Sequence, residues 1–290
     1  MIDEELRLVS DLTGVSQNDI KLSDDGFLSR GYIIDGGRIV FKFKKQPGVG
    51  YKNEIRMLNF VNTLDLGVNL QKVGWVSHKD EYLGVYGVMG KSLESIRLTN
   101  ENCKNYGEQI GLFLKRLHSA EYGEAEKVSI DEEIKAWRSR FEKSKDVLSR
   151  YFNDEEIKRM SDFIHSYVPA RLDSLGEKLV FSHGDLGMGN IFVDGSGKIG
   201  IIDFSEAVYL DEAADFMDIE DNGLRREVLD AYGADSCLRE KVEIRRAVRP
   251  MFVIGTYRER PEETILRFVN KIREWLGQDD ASEFWPNGVS

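Results

Sequence analysis

The sequence predicts an α+β chain of two lobes, a small antiparallel-sheet lobe followed by a larger, mainly helical one. Three observations predict it. Residues 1–90 are rich in short apolar and β-branched runs separated by turn signals. After Gly90 apolar residues recur mainly at helical spacing, interrupted by one strand-rich island from Leu179 to Phe204. The chain is 290 residues long, more than one compact core usually holds, and the connector Gly87–Gly90 is too short for a flexible linker. Lobes over 1–90 and 91–290 are therefore expected, with a small-molecule site in the cleft between them.

The elements follow in order. Residues 2–12 place Leu6, Val9 and Leu12 on one helical face. Ile20 and Leu22 lead to a turn at Asp24-Asp25-Gly26. Tyr32-Ile33-Ile34 and Ile39-Val40-Phe41-Lys42-Phe43 flank Asp35-Gly36-Gly37, a hairpin signal. Asn53 to Leu64 sets Ile55, Leu58 and Val61 on a helix face, and 72–77 and 81–88 read as two further strands. Helices are expected over 101–119, 130–151, 154–174, 223–232, 237–257 and 262–276.

Composition narrows the classes. Hydrophobic residues make up 41% and charged residues 31%, an ordinary globular balance. No apolar run approaches the roughly 20 residues that span a bilayer. The acidic start Met1-Ile2-Asp3-Glu4-Glu5 is unlike a secretory leader. Cys103 and Cys237 have no metal-ligand spacing, so a reducing cytoplasm and structural thiols are expected. A net charge of −11 argues against nucleic acid and is compatible with a cationic small-molecule substrate. No heptad seam suggests a dimer, so a monomer is expected.

The densest chemical signal is His183-Gly184-Asp185-Leu186-Gly187-Met188-Gly189-Asn190, followed by Ile201-Ile202-Asp203-Phe204. Apolar strands bracket it, which puts Asp185, Asn190 and Asp203 at strand ends. Asn190 and Asp203 offer hard oxygen ligands to Mg²⁺, which takes one or two protein ligands plus triphosphate oxygens and water. Asp185 is then placed to accept a hydrogen bond from an attacking hydroxyl. A plain turn also uses Gly, Asp and Asn. The D-x-x-x-x-N interval followed by Asp-Phe is what sets this segment apart.

These residues resemble the signature of aminoglycoside phosphotransferases and their choline-kinase-like relatives, nearest to the 2''-phosphotransferases. The resemblance covers most of the chain and implies the bilobal protein-kinase-like fold, Mg²⁺, and ATP or GTP as phosphoryl donor. Leu117-His118 looks like the family's Leu-His after the hinge. Asp211, Asp215 and Phe216 fit its G-D-P-x-x-D segment, with Leu210 and Glu212 in place of Gly and Pro. His183 is expected to support the loop by hydrogen bonds, and His118 to pack or cap a helix end.

In the small lobe Lys42 lies between Phe41 and Phe43 and must point opposite to them. By resemblance it reaches the α- and β-phosphates, with Glu54 of the following helix as its partner. An exposed lysine on an edge strand is the plain alternative. Asp24 to Gly31 sits where a phosphate-covering loop belongs, with Ser29 as a candidate phosphate contact. Tyr86 to Gly90 looks like the hinge, the backbone at Val88 meeting the purine. The bulk of Tyr86 is one feature that favours guanine in this family.

Seven acids and no Lys or Arg lie between Glu206 and Asp221. Asp218, Glu220 and Asp221 are candidate acceptor-binding residues, with Glu259, Glu262 and Glu263 next. A solvated acidic face, or helix N-terminal charge, accounts for such residues equally well. Trp275 and Trp285 are candidate sugar-stacking residues, Trp275 being placed as a core residue would be. Arg245, Arg246 and Arg249 are expected to pair with acids on their own helix. Three functions remain open: an antibiotic kinase, a metabolic kinase of the same fold acting on choline, homoserine, a sugar or a macrolide, and a catalytically silent nucleotide binder.

Overall fold

In the computed structural model, residues 2–23, 29–46 and 50–277 are described. The turn at 24–26 and Trp285 fall outside them. The first elements are α1 (Ile2–Thr13), β1 (Ile20–Ser23), β2 (Ser29–Ile34), β3 (Ile39–Lys44), α2 (Lys52–Val61), β4 (Asn69–Leu70), β5 (Lys72–Val76), β6 (Tyr82–Tyr86) and β7 (Lys91–Ser92). Then come α3 (Asn100–Leu117), α4 (Ile130–Leu148), α5 (Asp154–Asp162), α6 (Val168–Leu175), β8 (Leu179–Ser182), β9 (Ile191–Val193), β10 (Ile199–Ile201), β11 (Val208–Asp211), α7 (Asn222–Tyr232), α8 (Ser236–Val253) and α9 (Glu262–Gly277). The architecture is bilobal α+β, an antiparallel-sheet lobe through β7 followed by a mostly helical lobe from α3 to α9. The chain groups into two compact units. One is Met1–Ala125 with Phe181–Val208 and Asp218–Gly233, the other Glu126–Val180 with Tyr209–Met217 and Ala234–Ser290.

In the first unit, five strands form an antiparallel sheet in the order β1-β2-β3-β6-β5. Ile34 faces Ile39 across the expected hairpin, whose Asp35, Gly36 and Gly37 all take positive φ. Strand alternation sends Tyr32, Ile34, Phe41 and Phe43 to one face, where they bury with Ile20 and with Val9 of α1. Burial of each large side chain contributes about 1.5–3 kcal/mol. Lys42 is left on the opposite face. A second sheet runs β4-β10-β9-β7, with β10 parallel to β4 and Leu70 opposite Ile201. α3 packs on α7.

The second unit is built on α4, α5, α6, α8 and α9 around Trp137, Phe141, Phe163, Met251 and Ile272. Sequence signals start its helices: Ser129 with Glu132 and Asn153 with Glu156 form capping boxes. The expected helix over 154–174 is interrupted by a π-type segment, Phe163–Tyr167. Pro169 lacks the N–H that would reach the carbonyl of His165, and that oxygen instead accepts from Arg138 at 2.8 Å. Trp275 packs against Phe163 at 4.7 Å between ring centres, a core position. Arg245 departs from the local pairing expected of it. Fully buried, it makes two 2.8 Å bonds to Glu133 and lies 3.4 Å from Asp211, whereas Arg246 pairs with Glu243 on its own helix. Among the described residues no helix is long and apolar enough to cross a membrane.

Candidate active site

Lys42 and Glu54 meet because β3 and α2 both turn a face inward. Nζ lies 2.6 Å from Glu54 Oε1 and 3.2 Å from Asp203 Oδ1. Burial works against the Lys42 charge, but the two carboxylates outweigh it and raise its pKa above the ordinary lysine value. Burial also opposes the charge on Asp203, yet Lys42 and Ser205 hold that carboxyl below its usual range. Glu54, only 3% exposed, is pushed upward by burial against the pull of Lys42. The result is a cation fixed between two carboxylates.

The loop after β8 brings the remaining groups in. Gly184 takes φ +83°, and a Cβ there would stand 2.3 Å from the Glu206 carbonyl oxygen, so only glycine fits. The Asp185 amide donates to His183 Nδ1 at 3.3 Å, while His183 Nε2 donates to the Ile202 carbonyl at 2.9 Å. These two bonds tie the loop to the strand end before Asp203. Asn190 Nδ2 donates to the Asp185 carbonyl at 2.8 Å and to Asp185 Oδ2 at 3.1 Å. The Asn190 carbonyl accepts from the Ile202 amide at 3.0 Å. Asp185, Asn190 and Asp203 thus stand in one connected cluster, with Asp185 exposed to solvent.

The donor set fits Mg²⁺ bound with a triphosphate. Asp203 Oδ1 is buried and has no aligned hydrogen bond, although Lys42 is near. Asn190 commits its amide nitrogen to Asp185, leaving its oxygen as the hard donor. Among the described residues no group of three or more His, Cys, Asp or Glu is arranged to hold a metal. An ion here must draw most of its ligands from elsewhere, as Mg²⁺ does from phosphate oxygens and water.

Around this cluster lie residues that motif reading passed over. Gln71 Oε1 accepts from the Asp203 amide at 3.1 Å, and Asn53 Nδ2 donates to the Ser205 carbonyl at 2.8 Å. The Tyr51 hydroxyl, pushed up to about 12 by burial, lies 3.0 Å from Ser29 Oγ. Asn53 adjoins Glu54 and could have been found that way; Gln71 and Tyr51 carry no spacing signal.

The connector differs from expectation in one respect. Tyr86 pairs with Ile39 and Lys72, whereas Val85 pairs with Val40 and Leu83 with Lys42. Opposed residues share a face, so Val85 lies on the Lys42 side and Tyr86 on the other, against Trp75 at 5.2 Å. The bulk of Tyr86 therefore does not bear on the Lys42 face. A cavity of about 570 Å³ is lined by Tyr86 with Lys72, Val88, Met89 and Asp194 among others; Lys42 is not in its lining. Val88 is buried.

The acidic stretch separates into different jobs. Asp211 and Glu212 are buried in ion pairs with Lys241 and Lys178, and Asp215 is buried as well. Asp221 caps α7, its Oδ1 accepting from the Leu224 amide at 2.7 Å. Asp218 is half-buried and Glu220 exposed. In the other unit Glu259, Glu262 and Glu263 are exposed, the last two in the first turn of α9, where the helix dipole favours them. His118 ends α3 and lies 3.0 Å from the Tyr232 hydroxyl.

A kinase-like arrangement of lysine, glutamate, loop aspartate, asparagine and strand-end aspartate is the kind of site a phosphotransferase uses. Residues 19–250 match the model of the phosphotransferase enzyme family (APH), and the chain belongs to that family. No curated protein sequence matches the chain. Among solved structures, the GDP and kanamycin complex of APH(2")-IIia is similar with a TM-score of 0.76 at 17% identity, over 95% of this chain and 99% of that one. ADP-bound aminoglycoside phosphotransferase APH(2'')-Ib gives 0.69 at 16%, over 93% and 96%. Macrolide 2'-phosphotransferase MphH from Brachybacterium faecium, an apoenzyme, gives 0.64 at 17%, over 99% and 100%.

Proposed function

We propose that this chain is a Mg²⁺-dependent kinase that transfers the γ-phosphoryl group of ATP or GTP to a hydroxyl of an aminoglycoside-type antibiotic, and so confers resistance. The observation that carries the reading is the connected cluster of Lys42, Glu54, Asp185, Asn190 and Asp203. Asp203 and Asn190 would hold the Mg²⁺, which when bound neutralises charge on the phosphate oxygens. Lys42, kept protonated and oriented by Glu54, binds the α- and β-phosphates. Ser29 and the Val88 backbone hold the phosphate and purine ends of the nucleotide, which assigns residues 1–90 to nucleotide binding and 91–290 to the catalytic loop and the acceptor. Asp185 orients the acceptor hydroxyl for in-line attack and takes its proton, while Asn190 Nδ2 keeps the carboxylate from turning away. Positioning and preorganised charge supply most of the rate.

Val85 on the Lys42 face is small, which supports use of both purine nucleotides. Free Cys103 and Cys237 support a reducing cytoplasm, and the protein is taken as a monomer. Candidates to meet a cationic acceptor are Asp218 and Glu220 in the first unit, or Glu259, Glu262 and Glu263 in the second. With Asp211, Glu212 and Asp215 buried and Asp221 engaged as a cap, fewer acids remain for it. That favours, as a second reading, a kinase of the same fold for a less cationic alcohol.

A coupled nucleotide-consumption assay over aminoglycosides, macrolides, choline and sugars, with ATP and GTP, tests both. Stimulation by cationic aminosugars is expected; stimulation by a neutral or metabolic alcohol alone would select the second reading. Absence of Mg²⁺-nucleotide binding would overturn both. Asp185→Ala should abolish transfer while nucleotide still binds, and near-normal turnover would remove Asp185 from its role.

A further inference from the structure

The geometry points to Gln71 as the residue that holds the backbone of Asp203 in its metal-binding conformation, an inference that rests on the reading of Asp203 above. Asp203 is one of three non-glycine residues with positive φ among those described, at +66°. A β-substituted residue stays in that left-handed region only where its surroundings demand it. The chain is held on both sides of Asp203. Before Asp203, the Ile202 amide donates to the Asn190 carbonyl and the Ile202 carbonyl accepts from His183. After it, Phe204 is fully buried against His183, and the Ser205 carbonyl accepts from Asn53. The Asp203 amide itself has one partner given by the structure, Gln71 Oε1 at 3.1 Å.

The Gln71 side-chain oxygen is spent on this one bond. Gln71 is 3% exposed, a buried amide in the one-residue gap between β4 and β5. The parallel register of β4 and β10, Leu70 opposite Ile201, carries it alongside Ile202 and Asp203. Its own backbone is anchored in turn, since Asn62 Nδ2 donates to the Gln71 carbonyl at 2.7 Å and to the Leu58 carbonyl at 2.8 Å. A chain of bonds therefore runs from the C-terminal end of α2 through Asn62 and Gln71 to Asp203. Without the Gln71 oxygen the Asp203 N–H loses its partner, and the peptide gains from rotating toward an ordinary conformation. That rotation would swing the carboxylate away from Lys42, 3.2 Å from its Oδ1. Gln71 is a positioning residue; it touches no substrate.

The test uses the full chain and two readouts, amide hydrogen exchange at Asp203 by NMR and the Mg²⁺ concentration that half-saturates ATP binding. Gln71→Met keeps the shape and removes the acceptor; Gln71→Glu keeps an acceptor oxygen. Gln71→Met is expected to lose protection at the Asp203 amide and to need roughly tenfold more Mg²⁺, the factor set by one buried hydrogen bond of ordinary strength. Gln71→Glu should retain protection and need no more Mg²⁺ than the parent. If Gln71→Met does not fold, Asn62→Ala, which leaves the Gln71 side chain in place, should shift both readouts in the same direction. Parent-like exchange and Mg²⁺ response in the folded variant would overturn the inference alone. A parent that binds ATP without regard to Mg²⁺ would overturn the metal role of Asp203 and this inference with it.

Discussion

At the scale of single residues, the site is organised by one cation between two carboxylates. Lys42→Met removes the charge and keeps the stem. Glu54, already raised by burial, would then lose the partner that opposes that rise, and it should protonate at a higher pH than in the parent. Loss of one preorganised positive group at phosphate should lower kcat/KM for nucleotide by about 10²–10³-fold. Steady-state kinetics with far-UV circular dichroism checks this; a folded variant within about threefold of the parent would remove Lys42 from the phosphate site. Lys42, Glu54 and the 183–190 loop were legible because strand alternation, helix placement and a fixed interval each leave a trace in sequence. Gln71 was not, since a lone buried amide between two short strands has no period and no motif. Asp221 was open to both readings: an aspartate three residues before Leu224 is a helix cap as readily as a ligand, and the structure shows the cap.

At the scale of elements, α3 and α7 show how backbone proximity is encoded by small residues. Gly107 and Gly111, one turn apart on α3, face α7 so closely that a Cβ would stand 2.4 Å from Glu227 Cβ and 2.6 Å from the Val228 carbonyl oxygen respectively. The obstacle at Gly111 is backbone, which cannot step aside as a side chain does. Gly111→Val should therefore destabilise the first unit by about 1–3 kcal/mol or more, although valine is the better helix former. Urea unfolding of the variant reads this directly, and an unchanged midpoint would show that the helices can separate at no cost. Long periodic helices and the hairpin at Asp35–Gly37 were visible in the sequence for the reasons they form. β4 and β7 were not, because two residues are too few to display alternation. The interruption of 154–174 was signalled by Pro169, which the helical period masked.

At the scale of the whole molecule, ionic groups are placed far apart in sequence and joined inside a core. The second unit buries Asp211 against Lys241 at 2.9 Å and Arg245 at 3.4 Å, and Arg245 lies over the Trp137 ring at 5.1 Å. Glu133 and Arg245 sit on different helices, a pairing that no local charge pattern can announce. Burial opposes ionisation of Asp211, but Arg245 and Lys241 more than offset it and hold the carboxyl below its usual range. A carboxyl depressed in the folded state adds stability above its unfolded pKa of about 3.9, and that stability is lost as pH falls through the lower folded value. Asp211→Asn leaves Lys241 without its close partner, which should cost about 3 kcal/mol at pH 7. The same variant no longer takes up the proton, so its deficit relative to the parent should shrink as pH drops from about 4 toward 3. Urea unfolding followed by tryptophan fluorescence across that range tests the sign, with Trp137 stacked beside the network as a local reporter. A deficit that stays constant with pH would mean that Asp211 is not held ionised by its neighbours and that its burial is sustained by packing alone.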